Sequence, residues 1–129
     1  MKVSQGALEL SRKECERIVG SHVGINAVVL SSIDGFDLVS AMSKAVDPKR
    51  IAAMSSSISA IGSVVSKEAS IGNSEAITVK TDIGFAYFIN VEIDNQLTVL
   101  CAICEKSAVL AQVIYECNKS RINMKKYSA

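Results

Sequence analysis

The sequence predicts an α/β (α+β) domain: a five-stranded antiparallel sheet sandwiched by helices in three layers. Five runs rich in β-branched and aromatic residues are separated by short turn signals, and helical periodicity occurs before, between and after them. The predicted order is α-β-β-α-β-β-β-α, with consecutive strands paired through short hairpins. A chain of 129 residues, 49% of them hydrophobic, has room for one such domain and its core.

The first helix is predicted to begin at the capping box Ser11-Arg12-Lys13-Glu14, where serine and glutamate side chains can satisfy exposed backbone N–H groups. Its apolar stripe at helical spacing consists of Cys15, Ile18, Val19 and His22. Gly24 can end this helix. The first hairpin then joins residues 26–33 to residues 36–42 through Asp34-Gly35, which predicts a type I′ turn with positive φ at both residues.

The second helix is predicted to start at Asp47-Pro48, because aspartate caps a helix and proline fits its first position. It runs to about Glu68. A helical wheel places large apolar residues on a sheet-facing stripe: Ile51, Met54, Ile58, Ile61 and Val65. The opposite side is small and uncharged, and consists of Ala52, Ala53, Ser56, Ser59, Ala60, Ser63 and Ser66. A solvent-facing side normally carries Lys, Glu and Arg, so we expect this side to contact a partner.

Three further strands are predicted at residues 75–81, 84–93 and 96–104, followed by a helix with Leu110, Val113, Ile114 and Cys117 on one stripe. The predicted domain spans residues 11–121. Residues 1–10 are an N-terminal extension, and residues 122–129 are a basic C-terminal tail.

Composition excludes several classes of function. A formal net charge of +1 provides no basic field for nucleic acid. No signal peptide or membrane-spanning run occurs, so we expect a cytoplasmic protein without membrane insertion, in which the cysteines are reduced. No P-loop, dinucleotide-binding or GxSxG pattern is present, and His22 is the single histidine, so neither a cofactor nor a metal is predicted.

Two features permit alternatives. Cys101-Ala102-Ile103-Cys104 is a CxxC pattern that would suit a thiol oxidoreductase, although positions three apart in a strand point to opposite faces. A cationic cluster near the C-terminus, which we interpret as a solvated tail, consists of Lys119, Arg121, Lys125 and Lys126.

The pattern resembles the Roadblock/dynein-light-chain domain family, in particular its stand-alone prokaryotic members of the gliding-motility GTPase-regulator type. The resemblance rests on the segment 24–30 followed by Asp34-Gly35, the Asp47-Pro48 helix start with Ala52-Ala53, and the strand at residues 95–100 before the last helix. It implies the strand order 2-1-5-4-3 and a homodimer, or a heterodimer with a paralogous Roadblock protein, joined through the second helix and third strand.

The resulting leading hypothesis is a non-enzymatic dimeric adaptor that binds a small Ras-like GTPase. The predicted dimer interface consists of Ala52, Ser56, Ser59, Ala60, Ser63, Ala76, Ile77, Thr78 and Val79. The alternatives are a small-molecule sensor and a thiol oxidoreductase acting through Cys101 and Cys104.

Overall fold

A single antiparallel sheet organises the chain, and its five strands lie in the order β2-β1-β5-β4-β3. The computed structural model describes residues 2–127. The elements are α1 (Gln5–Ser21), β1 (Ile25–Ser32), β2 (Asp37–Met42), α2 (Pro48–Glu68), β3 (Ala76–Lys80), β4 (Gly84–Ile93), β5 (Gln96–Glu105) and α3 (Leu110–Lys125). The predicted fold class and the strand order implied by the family resemblance are both confirmed.

The sheet separates two cores. On one face α1 and α3 pack over strand residues that include Val28, Leu30 and Leu100. On the other face α2 packs alone over a smaller core. The register places Val29, Cys101 and Phe88 side by side across β1, β5 and β4, and these three residues form the floor beneath α2.

The predicted start of the first helix is wrong. α1 begins at Gln5, and Ser4 caps it by accepting a hydrogen bond from the Ala7 amide at 3.2 Å. Ser11 lies within the helix, where its buried hydroxyl donates to the Ala7 carbonyl at 2.7 Å. The capping-box pattern therefore does not mark a helix start here, because the residues before Ser11 already supply buried apolar contacts.

The predicted bounds of the domain fall inside packed helices. Ala7 in α1 and Met124 in α3 are both completely buried, so packed structure extends past residues 11 and 121. Residues 122–125 belong to α3, and Tyr127 contacts the first turn of α1 through a hydrogen bond with Ser4. Residues 128 and 129 of the predicted tail lie outside the described part of the chain.

The predicted type I′ turn at Asp34-Gly35 is also wrong. Gly35 has φ +94°, but Asp34 is not among the residues with positive φ. Ser32 accepts a hydrogen bond from the Gly35 amide at 3.0 Å and donates its own amide to Phe36 at 2.8 Å. The loop therefore has three residues and ends in a left-handed glycine, and a separate register shift lies between Leu30 and Ser31, where Leu38 is the extra residue of β2.

The turn with positive φ at both central residues lies between β4 and β5 instead. Asp94 and Asn95 have φ values of 53° and 59°, and Ile93 pairs with Gln96 on either side. Asparagine and aspartate tolerate this conformation better than other non-glycine residues, which explains their occurrence at the tip of this hairpin.

We predict that Gly35→Val lowers the free energy of unfolding by at least about 1 kcal/mol, because a β-branched residue is strained at positive φ. A Cβ atom at Gly35 would also contact the Ser56 Cβ at 3.4 Å. Urea unfolding measures the change. Gly20→Ala is the control, since nothing lies within 4 Å of its added Cβ. Equal stabilities for Gly35→Val and the unaltered chain would contradict the assigned turn.

Candidate interaction surface

The rotation of α2 about its axis determines which side chains the chain presents to partners. The residues that face the sheet are mostly small, and the buried ones are Ile51, Ala52, Ser55, Gly62 and Ser66. A Cβ atom at Gly62 would lie 2.6 Å from the Ile77 side chain, so glycine allows α2 to approach β3 closely. Small residues therefore face inward on this helix.

The predicted sheet-facing stripe is wrong for three of its five members. Ile51 is buried and Ile58 is half-buried, as expected. Met54, Ile61 and Val65, in contrast, are 50%, 58% and 55% exposed. The helical wheel places large apolar residues against the sheet, whereas the close approach of α2 turns much of this stripe to the surface.

The exposed side of α2 is therefore apolar, and Val64, at 60% exposure, adds to it. No charged residue occurs between Ile51 and Ser66. We call the exposed residues Met54, Ala60, Ile61, Val64 and Val65 the outer α2 face. Sequence reasoning missed its large members, although Gly62 in the middle of the helix is a signal that could have identified the side of closest approach.

The predicted interface residues of α2 are divided between the two sides of the helix. Ala52 is completely buried against the chain's own sheet. Ser56 is half-buried and donates its hydroxyl to the Ile33 carbonyl at 2.8 Å. Ser59 is half-buried, whereas Ala60 and Ser63 are exposed.

The predicted interface residues of β3 lie on the edge of the sheet. Within the described chain β3 pairs with β4 alone, so its outer backbone groups have no neighbouring strand. Ala76, Thr78 and Val79 are exposed, and Ile77 is half-buried beneath α2. An unprotected sheet edge of this kind is a template for pairing with another strand.

Two grooves flank α2. One has a volume of about 500 Å³ and is almost entirely apolar, with Met54 and Ile58 on its helix side and Val79, Ala86 and Ile103 on its sheet side. The other has a volume of about 580 Å³. It is lined by hydroxyl and amide groups that include Ser59, Ser63, Asn73 and Asn90. α2 alone thus leaves sheet surface uncovered on both of its sides.

The CxxC pattern spans the sheet. Cys101 belongs to the core beneath α2, and Cys104 belongs to the core beneath α1 and α3, as the alternation of a strand predicts. Burial raises the pKa of Cys104 to about 12, and it raises the pKa of Cys101 well above its ordinary value. Burial likewise raises the pKa of Cys15 and Cys117 to about 12. Neutral thiols of this kind are poor nucleophiles.

The remaining candidate residues are held in local contacts. His22 lies 3.1 Å from the Ser21 hydroxyl and 3.8 Å from a Glu116 carboxylate oxygen. No group of three or more His, Cys, Asp or Glu side chains within residues 2–127 could hold a metal ion. In the cationic cluster Lys125 lies 3.7 Å from Glu92, while Lys119 is exposed. Within residues 2–127, none of the helices combines the length and the hydropathy that a membrane span requires.

Comparisons with known proteins bear on this fold. No family model and no curated protein matches the sequence. Among solved structures, Myxococcus xanthus MglB superposes with a TM-score of 0.81 at 16% identity, covering 98% of this chain and 92% of that chain. The gliding protein MglB from Thermus thermophilus gives a TM-score of 0.84 at 12% identity, with coverages of 96% and 92%. A Roadblock/LC7 domain from Streptomyces avermitilis gives 0.78 at 18% identity, with coverages of 90% and 95%.

This chain has the Roadblock/LC7 fold. The likeness covers nearly the whole chain and most of each neighbour, so no large element is missing or added. Within the Roadblock/LC7 fold, the outer α2 face and the free edge of β3 are adjacent, since Gly62 of α2 lies above Ile77 of β3. Together they form one candidate interaction surface.

We predict that none of the four cysteines reacts with Ellman's reagent in the native protein at pH 8, because each thiol is buried and its pKa is raised. All four should react after unfolding in guanidinium. Rapid labelling of a native thiol would contradict this assignment and favour the oxidoreductase alternative.

The raised pKa values also predict a pH dependence of stability. The free energy of unfolding should fall as the pH rises above about 9, because the unfolded chain then loses thiol protons that the folded chain retains.

Proposed function

We propose that this chain is a non-enzymatic, cytoplasmic adaptor that forms a dimer through α2 and β3 and binds a small Ras-like GTPase. The observation that carries the proposal is the outer α2 face, an exposed apolar helix surface that lies beside an unpaired sheet edge. The family resemblance and the Roadblock/LC7 fold support the assignment to this class of regulators.

The outer α2 face supports association with another protein. Exposed helix surfaces normally carry charged side chains, which are well hydrated and are good helix formers. Here Ile61 lies one turn before Val64 and Val65, on the same side of the helix, and all three are more than half exposed. Burying them in an interface would stabilise the complex by roughly 25 cal/mol for each Å² of apolar surface removed from water.

A second copy of the chain, related by a single two-fold axis, would cover the outer α2 face and pair the free edge of β3 at the same time. The axis would pair each β3 with its mate in an antiparallel manner, so that the unpaired backbone groups of both edges form hydrogen bonds. The same axis brings the two outer α2 faces together. A paralogous Roadblock protein with a similar surface would satisfy the same requirements, and co-purification of two differently tagged chains distinguishes the homodimer from the heterodimer.

A GTPase is the partner that the family resemblance implies. Two of the solved neighbours are MglB proteins, one of them named a gliding protein. Dimerisation would leave the helical layer of α1 and α3 as a separate surface for such a partner. The buried thiols offer no competing thiol chemistry.

We predict that Ala60→Glu and Val64→Glu each convert the dimer to a monomer. Each places two symmetric carboxylates in a desolvated interface without partners, which costs several kcal/mol. Light scattering at micromolar concentration measures the mass. The controls are Lys67→Ala, at the end of α2, and Val23→Glu, which makes the same substitution at a valine that is 85% exposed in a loop. If both α2 variants remained dimeric and kept native melting behaviour, the interface assignment would be wrong.

We further predict that the dimer binds a Ras-like GTPase encoded beside its gene and prefers one of its nucleotide states. The measurement is pull-down of the GTPase loaded with GDP or with a GTP analogue, together with rates of nucleotide exchange and hydrolysis. Val64→Glu should weaken binding if the partner recognises both protomers. A dimeric protein that binds neither nucleotide state and leaves both rates unchanged would contradict the GTPase assignment but not the dimer.

A further inference from the structure

A small pocket lies on the face of the sheet opposite α2, between α3 and the beginning of β3. Its volume is about 270 Å³. The floor is formed by Ala76 of β3 and by Tyr87 and Ile89 of β4, the latter two being part of the core beneath α1 and α3. The pocket is therefore distinct from the outer α2 face and goes beyond the proposed function.

The α3 side of the pocket is cationic. Arg121 is half-buried there, and its Nε donates to the Asn118 side-chain oxygen at 3.3 Å. Arg121 takes part in none of the ion pairs formed within residues 2–127. Its two terminal nitrogens thus provide donors in the planar arrangement that suits a carboxylate.

The β3 side of the pocket is anionic. Glu75 lines it just before β3 and is likewise in none of these ion pairs. Its backbone is held in place, because the Glu75 carbonyl accepts a hydrogen bond from the Asn90 amide at 3.0 Å. The Asn90 side chain also donates to the preceding Ser74 carbonyl at 2.8 Å. The carboxylate therefore extends from a fixed point of the fold.

Tyr87 lines the same pocket and is 5% exposed. Burial, above all, raises the pKa of its phenol, while Arg121 lowers it and Glu75 raises it by smaller amounts. Tyr87, Arg121 and Glu75 therefore line one small pocket. The phenol O–H remains protonated at neutral pH and can donate a hydrogen bond to an anionic group in the pocket.

We propose that this pocket binds a free α-amino acid in its zwitterionic form. Arg121 and Tyr87 would hold the ligand carboxylate, and Glu75 would hold its ammonium group, while the side chain would lie over Ala76 and Ile89. A simple anion would be repelled by Glu75, and a simple cation would be repelled by Arg121. The volume is below the roughly 300 Å³ at which pockets for drug-sized ligands begin, which limits the ligand to a small molecule.

The test is calorimetric titration of the full chain with each of the twenty common L-amino acids at concentrations up to the millimolar range. At least one should bind saturably with one site per chain. Arg121→Gln and Glu75→Gln should each weaken its binding about tenfold or more, because each leaves one ligand charge without its partner. Lys119→Gln, a cation on the exposed side of α3, is the matched control and should bind as the unaltered chain does.

Derivatives that lack one of the two charges test the contribution of each charge to binding separately. Its N-acetyl and carboxamide forms should both bind at least about tenfold more weakly than the parent. Absence of saturable binding for all twenty amino acids would overturn the proposal, as would unchanged affinity in Glu75→Gln. This second variant alters an exposed side chain, so it remains informative if Arg121→Gln fails to fold. A loss of amino-acid binding in Arg121→Gln or Glu75→Gln does not contradict the proposed dimer, because neither residue belongs to the outer α2 face or to β3.

Discussion

The packing of one helix on one face of a five-stranded sheet is the constraint on which the rest of this structure depends. α1 and α3 together cover the opposite face, but α2 has to cover its own face alone. It does so at close range, because small residues such as Ala52, Ser55 and Gly62 face inward. Close approach stabilises the core around Cys101 and Phe88, yet it leaves larger apolar side chains outside and strips of sheet uncovered on both flanks.

This arrangement connects the local packing to the proposed assembly. A monomer with an apolar helix side and an unpaired sheet edge exposes two features that soluble proteins usually protect. Because Gly62 brings α2 directly over Ile77, both features lie at the same border of the molecule, and one symmetric contact can protect them together. The pocket at Arg121 and Glu75 opens on the other face. The fold therefore places the charged residues of this site away from the outer α2 face, while Ala76 belongs both to its floor and to the predicted interface strand.

Local signals in the sequence predict much of this fold, but they do not predict the orientation of α2. The Asp47-Pro48 start is confirmed, with Asp47 accepting a hydrogen bond from the Lys49 amide at 3.1 Å, because proline and a capping carboxylate act through their immediate neighbours. The helix start predicted at Ser11 is wrong, because the residue types of a capping box also occur within helices. The rotation of α2 depends on how closely Gly62 meets Ile77, and that contact joins residues distant in sequence. Amphipathic patterning cannot resolve it when both sides of a helix are uncharged.

Hydrogen–deuterium exchange at the two sheet edges tests the central claim most directly. Both β2 and β3 have one neighbouring strand within the described chain, so in a monomer the outward amides of both edges should exchange rapidly. The account predicts that amides in Ala76–Lys80 exchange slowly at high protein concentration and rapidly on dilution, while those in Asp37–Met42 exchange alike at both concentrations. Equally rapid exchange of the two edges at every concentration would contradict a dimer built on β3 and α2.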